Sequence, residues 1–414
     1  MLVLTLAQCA AKAPSGLDPG ETGMVLGVTH AQFSLDPQLS PAQRAEGERL
    51  LGATPLLQNQ HLMGWGVTNP EPSPGTYDWS DLDTRMRLIE RTGGTPVLTL
   101  CCAPDWMKGG APGTTDWDRL TVAPLPEHYR DFANLAAEAA RRYPRVRYFQ
   151  VWNELKGFWD ERANTWDAAG FTDFYNAVYD AVKRVRPDAE IGGPYVVFTL
   201  YASTNPPSPL SGAYGSVDPR VLALVRYWNE HKHGADFAAA DASTVTRDEG
   251  LITSPAAAGA VFSDVTRWLH GLTGLPVWWS EFYPLAPPGP GDPAGTDRVR
   301  AVLCLDAVAR AAEAGAAAML LWQPQDDGEL PFAALWTQPR DGTPVGPTSL
   351  TEAWTWLAPR LRDRSIRVVR DVPGGLVRFE GRDRTLTLNV SGSSTLRITG
   401  GSARTLPPYS LTFG

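Results

Sequence analysis

The sequence predicts an α/β chain: a (β/α)8 TIM barrel followed by a small C-terminal β-sandwich. Three observations carry that expectation. Short apolar runs alternate with amphipathic stretches eight times between residues 24 and 361, the pattern of strand–helix units around a parallel sheet. Two glutamates, Glu154 and Glu281, each stand just past one of those apolar runs, where a barrel keeps its reactive side chains. After Leu361 the texture changes to short alternating runs broken by Pro-Gly-Gly and Ser-Gly-Ser, which reads as antiparallel strands.

The eight strands are expected at 24–28, 55–58, 96–100, 146–152, 190–193, 236–240, 276–280 and 316–322. Helices are expected at 41–51, 82–91, 127–142, 171–186, 219–233, 257–272, 298–314 and 351–361. In the third of them, Tyr129, Phe132, Leu135, Ala136 and Ala139 repeat at the spacing of one helical face. Later strands are expected at 366–369, 376–380, 385–390 and 395–398. The expected organisation is a leader or linker over 1–20, a catalytic barrel over 21–362 and an accessory β-sandwich over 363–414. Pro- and Gly-rich loops at 69–77, 199–217 and 284–297 follow strands, on the side of a barrel that shapes a substrate cleft.

A chain of 414 residues is long enough for one large domain and a small one. A net charge of −8 and the lack of any Lys/Arg run argue against a nucleic-acid partner. No later segment is apolar enough for a membrane span. Fifteen Trp is a high count, and indole faces stack on the C–H surfaces of sugars. Four scattered Cys suit neither a disulfide scaffold nor a zinc cage, and adjacent Cys101 and Cys102 are expected as buried thiols closing a core strand. Six His are sparse for a metal enzyme, and His231 and His233 would point to different sides of one helix. No metal or cofactor is expected. The first residues, Met-Leu-Val-Leu-Thr-Leu-Ala-Gln-Cys, resemble the apolar core of a secretion signal without its basic lead-in. Export to the medium or cell envelope is the expectation, with the cytoplasm as the alternative.

Glycosidic bonds break through an oxocarbenium-like transition state, which needs an acid at the leaving oxygen and a carboxylate near the anomeric carbon. Glu154 after the fourth strand and Glu281 after the seventh supply such a pair, three strand–helix units apart and across the barrel mouth from one another. Double displacement calls for carboxyl groups ~5–5.5 Å apart. Tyr283, two residues past Glu281, is placed to reach the cleft, and Trp65, Trp106 and Trp159 follow strands two, three and four as candidate sugar platforms.

The chain resembles the clan A glycoside hydrolases, and within them family 39, which includes β-xylosidases, α-L-iduronidases and exopolysaccharide hydrolases. The matching stretches are Gly75-Thr76-Tyr77-Asp78-Trp79 with Leu82-Asp83, Val151-Trp152-Asn153-Glu154, and Trp279-Ser280-Glu281-Phe282. The late Leu406-Pro407-Pro408-Tyr409-Ser410-Leu411 is similar to the last strand of that family's accessory sandwich. The resemblance implies a retaining O-glycosyl hydrolase with Glu154 as acid/base and Glu281 as nucleophile. It also implies Asn153 on the sugar 2-OH and Trp322 as a platform under the reacting sugar. Two departures stand out. The Arg usual near the end of strand two is absent from Asn59-Gln60-His61, although His61 remains, either as a sugar contact or as a structural histidine. After strand six, where the family often has His-x-Tyr, the chain reads Asp241-Ala242-Ser243. Asp241 either meets a hydroxyl or the neighbourhood of Glu281, or caps the strand end. A third anion in the pocket would disfavour uronic acids, so a neutral, xylose-like sugar is expected. The alternatives are an endo-acting glucanase, mannanase or exopolysaccharide hydrolase, and a carbohydrate-binding barrel without turnover.

Overall fold

The computed structural model describes residues 23–35, 38–203, 207–252, 254–285, 293–326, 328, 332–338, 343–371, 375–396 and 405–414. The eight apolar runs form the strands Val25–Thr29, Leu57–His61, Thr95–Leu100, Tyr148–Val151, Glu190–Gly192, Ala238–Asp241, Val277–Trp279 and Ala318–Trp322. They lie parallel in one sheet, with the chain's first strand between the second and the eighth. Register runs Thr29 to Trp322, Thr29 to Asn59, His61 to Thr99, and Thr99 to Gln150. Helices between the strands cover the outer face, so the strands read as near-continuous apolar runs.

The fifth run is where the expectation of an unbroken barrel fails. Its first piece, Glu190–Gly192, pairs with the fourth strand, and a ninth short strand, Val196–Val197, pairs with the sixth. Between them lies Pro194, which has no N–H to give to a ladder. A single bridge, Gly192 to Phe237, spans the gap. Strand pairing among the described residues therefore leaves the sheet open at this point. Gly192 serves packing here: a Cβ would stand 2.1 Å from the Phe237 ring.

Inward side chains alternate along the strands and stack in layers. The lowest layer is an apolar plug of Val25, Leu57, Val97, Tyr148, Phe237, Trp278 and Ala318. Above it runs a hydrogen-bonded belt. Asn59 Nδ2 donates to Thr29 Oγ1 (3.2 Å), Thr99 Oγ1 to Asn59 Oδ1 (2.9 Å) and Gln150 Nε2 to Thr99 Oγ1 (3.1 Å). Ser280 Oγ then donates to Gln150 Oε1, and Thr29 Oγ1 returns to the Ser280 carbonyl (3.4 Å). Every member is buried, and the closed circuit gives each polar group the partner that burial demands.

The helices are those the periodicity predicts, within a few residues. Pro41–Leu51 opens with a capping box between Ser40 and Gln43 and Pro at its first turn. Tyr129–Arg142 buries Phe132, Leu135, Ala136 and Ala139, with Tyr129 half-buried. Pro219–His231 ends before His233, so the two histidines do not share a helix. Long loops carry structure that the pattern did not foresee. Leu200–Tyr201, Ser211–Gly212, Gly215–Val217, Val245–Thr246 and Gly250–Leu251 form a second sheet over the fifth and sixth strand ends, and Trp159–Asp160 pairs with Thr165–Trp166 in a hairpin.

At the C-terminus Arg367–Asp371, Leu376–Glu380, Thr385–Asn389 and Ser410–Phe413 make a four-stranded antiparallel sheet. A two-stranded ribbon, Thr395–Leu396 with Thr405–Leu406, stands apart from it, in place of the full second sheet of a sandwich. Residues 397 and 398 of the expected strand lie outside the described residues. Arg370 ties the sheet to Asp306 and Glu313 of the helix Pro293–Glu313. Cys101 and Cys102 are buried as expected but joined to each other, their Cα atoms only 3.0 Å apart, rather than left as thiols. Among the described residues no helix is long and apolar enough to cross a membrane.

Candidate active site

Above the polar belt the ends of strands two, four, five, six, seven and eight converge. Alternation along Leu57–His61 turns His61 inward with Leu57 and Asn59, and Ser280 places Glu281 one residue above the belt. The chain leaving the fourth strand is bent sharply. Trp152, Glu154 and Leu155 have φ of 66°, 51° and 51°, left-handed values that cost a non-glycine residue on the order of 1 kcal/mol each. Such clustering of backbone strain is a recurrent mark of functional sites.

Glu154, Asp241 and Glu281 each offer a carboxylate oxygen within 4.8 Å of the other two. Among the described residues they are the one grouping close enough to share a cation. The three are held differently. Glu281 is 1% exposed and accepts from two phenols, Tyr195 Oη on Oε1 and Tyr283 Oη on Oε2. Glu154 has a side chain 18% exposed and is paired with Lys156 Nζ at 2.8 Å. Asp241 is buried, and its Oδ1 has no hydrogen-bond partner.

The electrostatics follow from that crowding. Burial raises the Glu281 carboxyl well above the usual carboxylate range and the Glu154 charge adds to this, while the two phenols and Lys156 pull it back. Burial and then the charges of Glu281 and Glu154 push Asp241 up as well, against Lys156. Tyr195 and Tyr283 are both raised, by burial first and then by Glu281, so they remain protonated donors.

His61 is fully buried, and burial lowers its pKa to about 3. Its Nε2 lies 3.3 Å from Asn153 Oδ1, so the neutral ring supports Asn153 from below. Asn153 Nδ2 is buried without a partner. Trp65 packs on His61 with centroids 4.1 Å apart, and Trp322 stands edge-on to both at 6.1 and 6.3 Å. Lys156 Nζ sits 5.7 Å over the Trp65 ring. Trp65 and Trp322 remain partly open and form an aromatic wall beside the carboxylates.

Two of the expected platforms make their contacts elsewhere. Trp106 donates to the Glu71 carbonyl at 2.9 Å and meets His128 edge-on. Trp159 lies in the hairpin against Trp166, under the Arg220 guanidinium at 4.9 Å. A concavity of about 520 Å³ lined by Asp83, Met86, Gly94, Pro96, Arg142 and Tyr143 lies at the opposite ends of the third and fourth strands, the face that serves stability in such barrels.

Two residues of the cluster escape a reading by motif. Tyr195 follows Gly193-Pro194 at the break in the fifth strand, and its phenol meets the Glu281 that the absent strand-six tyrosine would have met. The X-Pro interruption of a strand next to Tyr was the available signal. Lys156, two residues after Glu154, places a cation in the cleft although strand two supplies none.

No family model matches the chain. No curated protein matches it either. Solved structures do. A monomeric beta-xylosidase from Caulobacter crescentus CB15 is 18% identical with a TM-score of 0.56, over 94% of this chain and 76% of its own. The GH39 enzyme from Xanthomonas axonopodis pv. citri is 17% identical with a TM-score of 0.57, over 94% and 74%. A conserved exported protein from Bacteroides fragilis is 13% identical with a TM-score of 0.63, over 95% and 98%. At these identities the likeness is one of fold: the chain has the fold seen in glycoside hydrolase family 39 β-xylosidases.

Proposed function

We propose that the protein is a retaining glycoside hydrolase whose barrel, interrupted at its fifth strand, spans residues 21–362 with an accessory β domain over 363–414. One observation carries this reading: Glu154 and Glu281 approach within 4.8 Å while standing in opposite environments. That spacing suits direct attack by one carboxylate, whereas inversion needs room for a water at ~6.5–9.5 Å.

In the first step the ionised Glu281 attacks the anomeric carbon and forms a glycosyl ester. The bond from that carbon to the leaving oxygen breaks, and Glu154 gives its proton to that oxygen. In the second step water attacks the same carbon, Glu154 takes a proton from it, and Glu281 leaves as carboxylate. Tyr195 and Tyr283 hold the nucleophile on both of its oxygens. Asn153, oriented by His61, faces the sugar hydroxyl next to the reacting carbon, where a hydrogen bond strengthens as charge develops. Trp322 and Trp65 offer apolar faces to the ring, with Trp159 and Trp106 further out. The fold likeness favours a β-xyloside-like sugar as the reference substrate, and no cofactor takes part. Export to the cell envelope or medium fits an enzyme on extracellular glycans. A panel of aryl xylosides, glucosides, arabinosides and mannosides, followed by NMR of the first-formed anomer, tests the proposal. A product of inverted configuration, or binding without turnover, overturns it.

A further inference from the structure

We propose that Asp241 makes this pocket selective for a sugar carrying a protonated amine beside the anomeric carbon, a 2-amino-2-deoxyglycoside with the amine free. The inference rests on the glycosidase reading and names its substrate class.

The argument begins with position. The Asp241 oxygen lies no more than 4.8 Å from both Glu154 and Glu281. Those two flank the anomeric carbon in the proposed reaction, so a group that close to both lies beside the substituent on the neighbouring carbon. Asp241 ends the sixth strand and is 2% exposed. Its Oδ1 is left without a donor, and a buried acceptor left unmade is costly unless a ligand completes it.

Charge then separates the possible ligands. The cation of the cleft, Lys156, is committed to Glu154 at 2.8 Å. Tyr195 and Tyr283 are spent on Glu281. In the reacting state Glu281 is ionised, so Asp241 beside it either stays protonated or adds a second buried anion. A neutral hydroxyl supplies a donor and no charge. An N-acetyl group supplies one N–H donor but no charge, and adds the bulk of its acetyl group. An ammonium supplies both donor and charge, and lets Asp241 and Glu281 ionise together.

The pair formed by His61 and Asn153, the residue before Glu154, accommodates this. His61 and Asn153 can exchange the sense of their hydrogen bond, because His61 Nδ1 and Asn153 Nδ2 are both unpaired when Nε2 faces Oδ1. With the His61 proton on Nδ1, the Asn153 amide donates to Nε2 and turns its oxygen toward the sugar. The pair then accepts from an ammonium as readily as it donates to a hydroxyl.

The test compares matched aryl glycosides of glucose, glucosamine and N-acetylglucosamine, in both anomers, at a pH below the amine's own pKa. Expected is a kcat/KM for the free-amine glycoside at least about tenfold above that of the glucoside, with the N-acetyl form below both. Asp241→Asn should bring the amine-to-hydroxyl ratio to about one or less, and Asp241→Glu should restore part of the preference. The ratio is taken within each variant, so a change in absolute rate does not blur it. Should Asp241→Asn fail to fold, inhibition of the wild-type protein by free glucosamine against glucose gives the same discrimination. A glucoside or xyloside cleaved as well as its amino counterpart overturns the inference and leaves the glycosidase reading standing. Failure to cleave any glycoside overturns both. Turnover of neutral glycosides that EDTA abolishes and calcium restores would assign the acidic site to a metal ion instead, and overturn the inference too.

Discussion

The ends of the fourth and seventh strands carry the same side chain and treat it in opposite ways. Glu281 is sealed from solvent, gripped on both oxygens by phenols and seated directly above the polar belt through Ser280. Glu154 sits on a left-handed turn, partly open to water, and its partner is a flexible lysine with a side chain 36% exposed. One carboxylate is fixed in place, and the other is partly open to solvent. A nucleophile needs alignment to the reacting carbon; an acid/base must reload between two steps. The roles proposed above, Glu281 as nucleophile and Glu154 as acid/base, agree with this asymmetry, which motif position alone does not reveal.

The sharpest way to break this comparison is to remove each carboxylate in turn. Glu281→Gln should lose activity on every glycoside by on the order of 10⁴-fold or more, the scale on which removing a nucleophile acts in other enzymes. Initial rates on activated and unactivated aryl glycosides read this out. A loss that depended on the leaving group would mean that Glu281 protonates the leaving oxygen.

Glu154→Gln should discriminate where Glu281→Gln does not. Poor leaving groups need the proton and should slow by roughly 10²–10⁴-fold, the usual contribution of a positioned acid. Good leaving groups should keep the first step, so that a burst of phenol precedes a slow second step. Azide should accelerate that step by taking the place of activated water, giving a glycosyl azide of retained configuration. Identical behaviour of the two variants across leaving groups would undo the assignment.

The phenols sharpen the comparison on the Glu281 side. Each donates to the ionised carboxylate, and a hydrogen bond to a charged group contributes about 1.5–3 kcal/mol. Their bonds lower the Glu281 pKa against burial and the Glu154 charge. Taking one away favours the protonated form, so the pH at which Glu281 ionises rises. Tyr195→Phe and Tyr283→Phe should therefore each move the acid limb of kcat/KM toward higher pH and lower its plateau by roughly 10-fold. An unmoved limb would make the phenols mere packing.

How far this site was legible depended on what kind of information each residue carries. Glu154, Glu281 and the eight strands follow from local pattern: an apolar run of strand length ending in a polar residue is visible in a single window. The same alternation places His61 and Asp241 at inward strand ends. Lys156 and Tyr195 were not visible, because neither stands in a motif: Lys156 meets Glu154 and Tyr195 meets Glu281. Their role depends on where a bent loop and an interrupted strand carry them. The belt of Thr29, Asn59, Thr99, Gln150 and Ser280 was hidden for a related reason, since its hydrogen bonds join residues up to 251 positions apart. The open fifth strand follows from Pro194, a residue whose missing N–H could have been read in advance. Trp106 and Trp159 carry contacts that strand-end position does not show: the first indole donates to the Glu71 carbonyl and the second lies under Arg220.

The smallest effect concerns the third carboxylate, which belongs to neither end of the comparison and loads the site with charge. Burial and its two neighbours raise the Asp241 pKa far above that of the unfolded chain. A carboxyl raised in this way stabilises the fold fully only below its unfolded pKa, ~3.9. That contribution is lost progressively as pH climbs toward the folded value, because the unfolded chain releases the proton that the folded one retains. Asparagine keeps the shape and does not titrate. Asp241→Asn should thus be more stable than the wild type at pH about 8, by ~1–2 kcal/mol for a buried charge with no partner of its own. For a chain of this length that is a rise of roughly 1–2 °C in Tm. The difference should shrink toward zero as the pH falls to about 4, where both proteins carry a neutral group at this position. Thermal melts of the two proteins across that range measure it. A gain independent of pH would mean that Asp241 is destabilising through shape alone. A loss at high pH would mean that its carboxylate already has a cationic partner within the fold, leaving no need for one on the sugar.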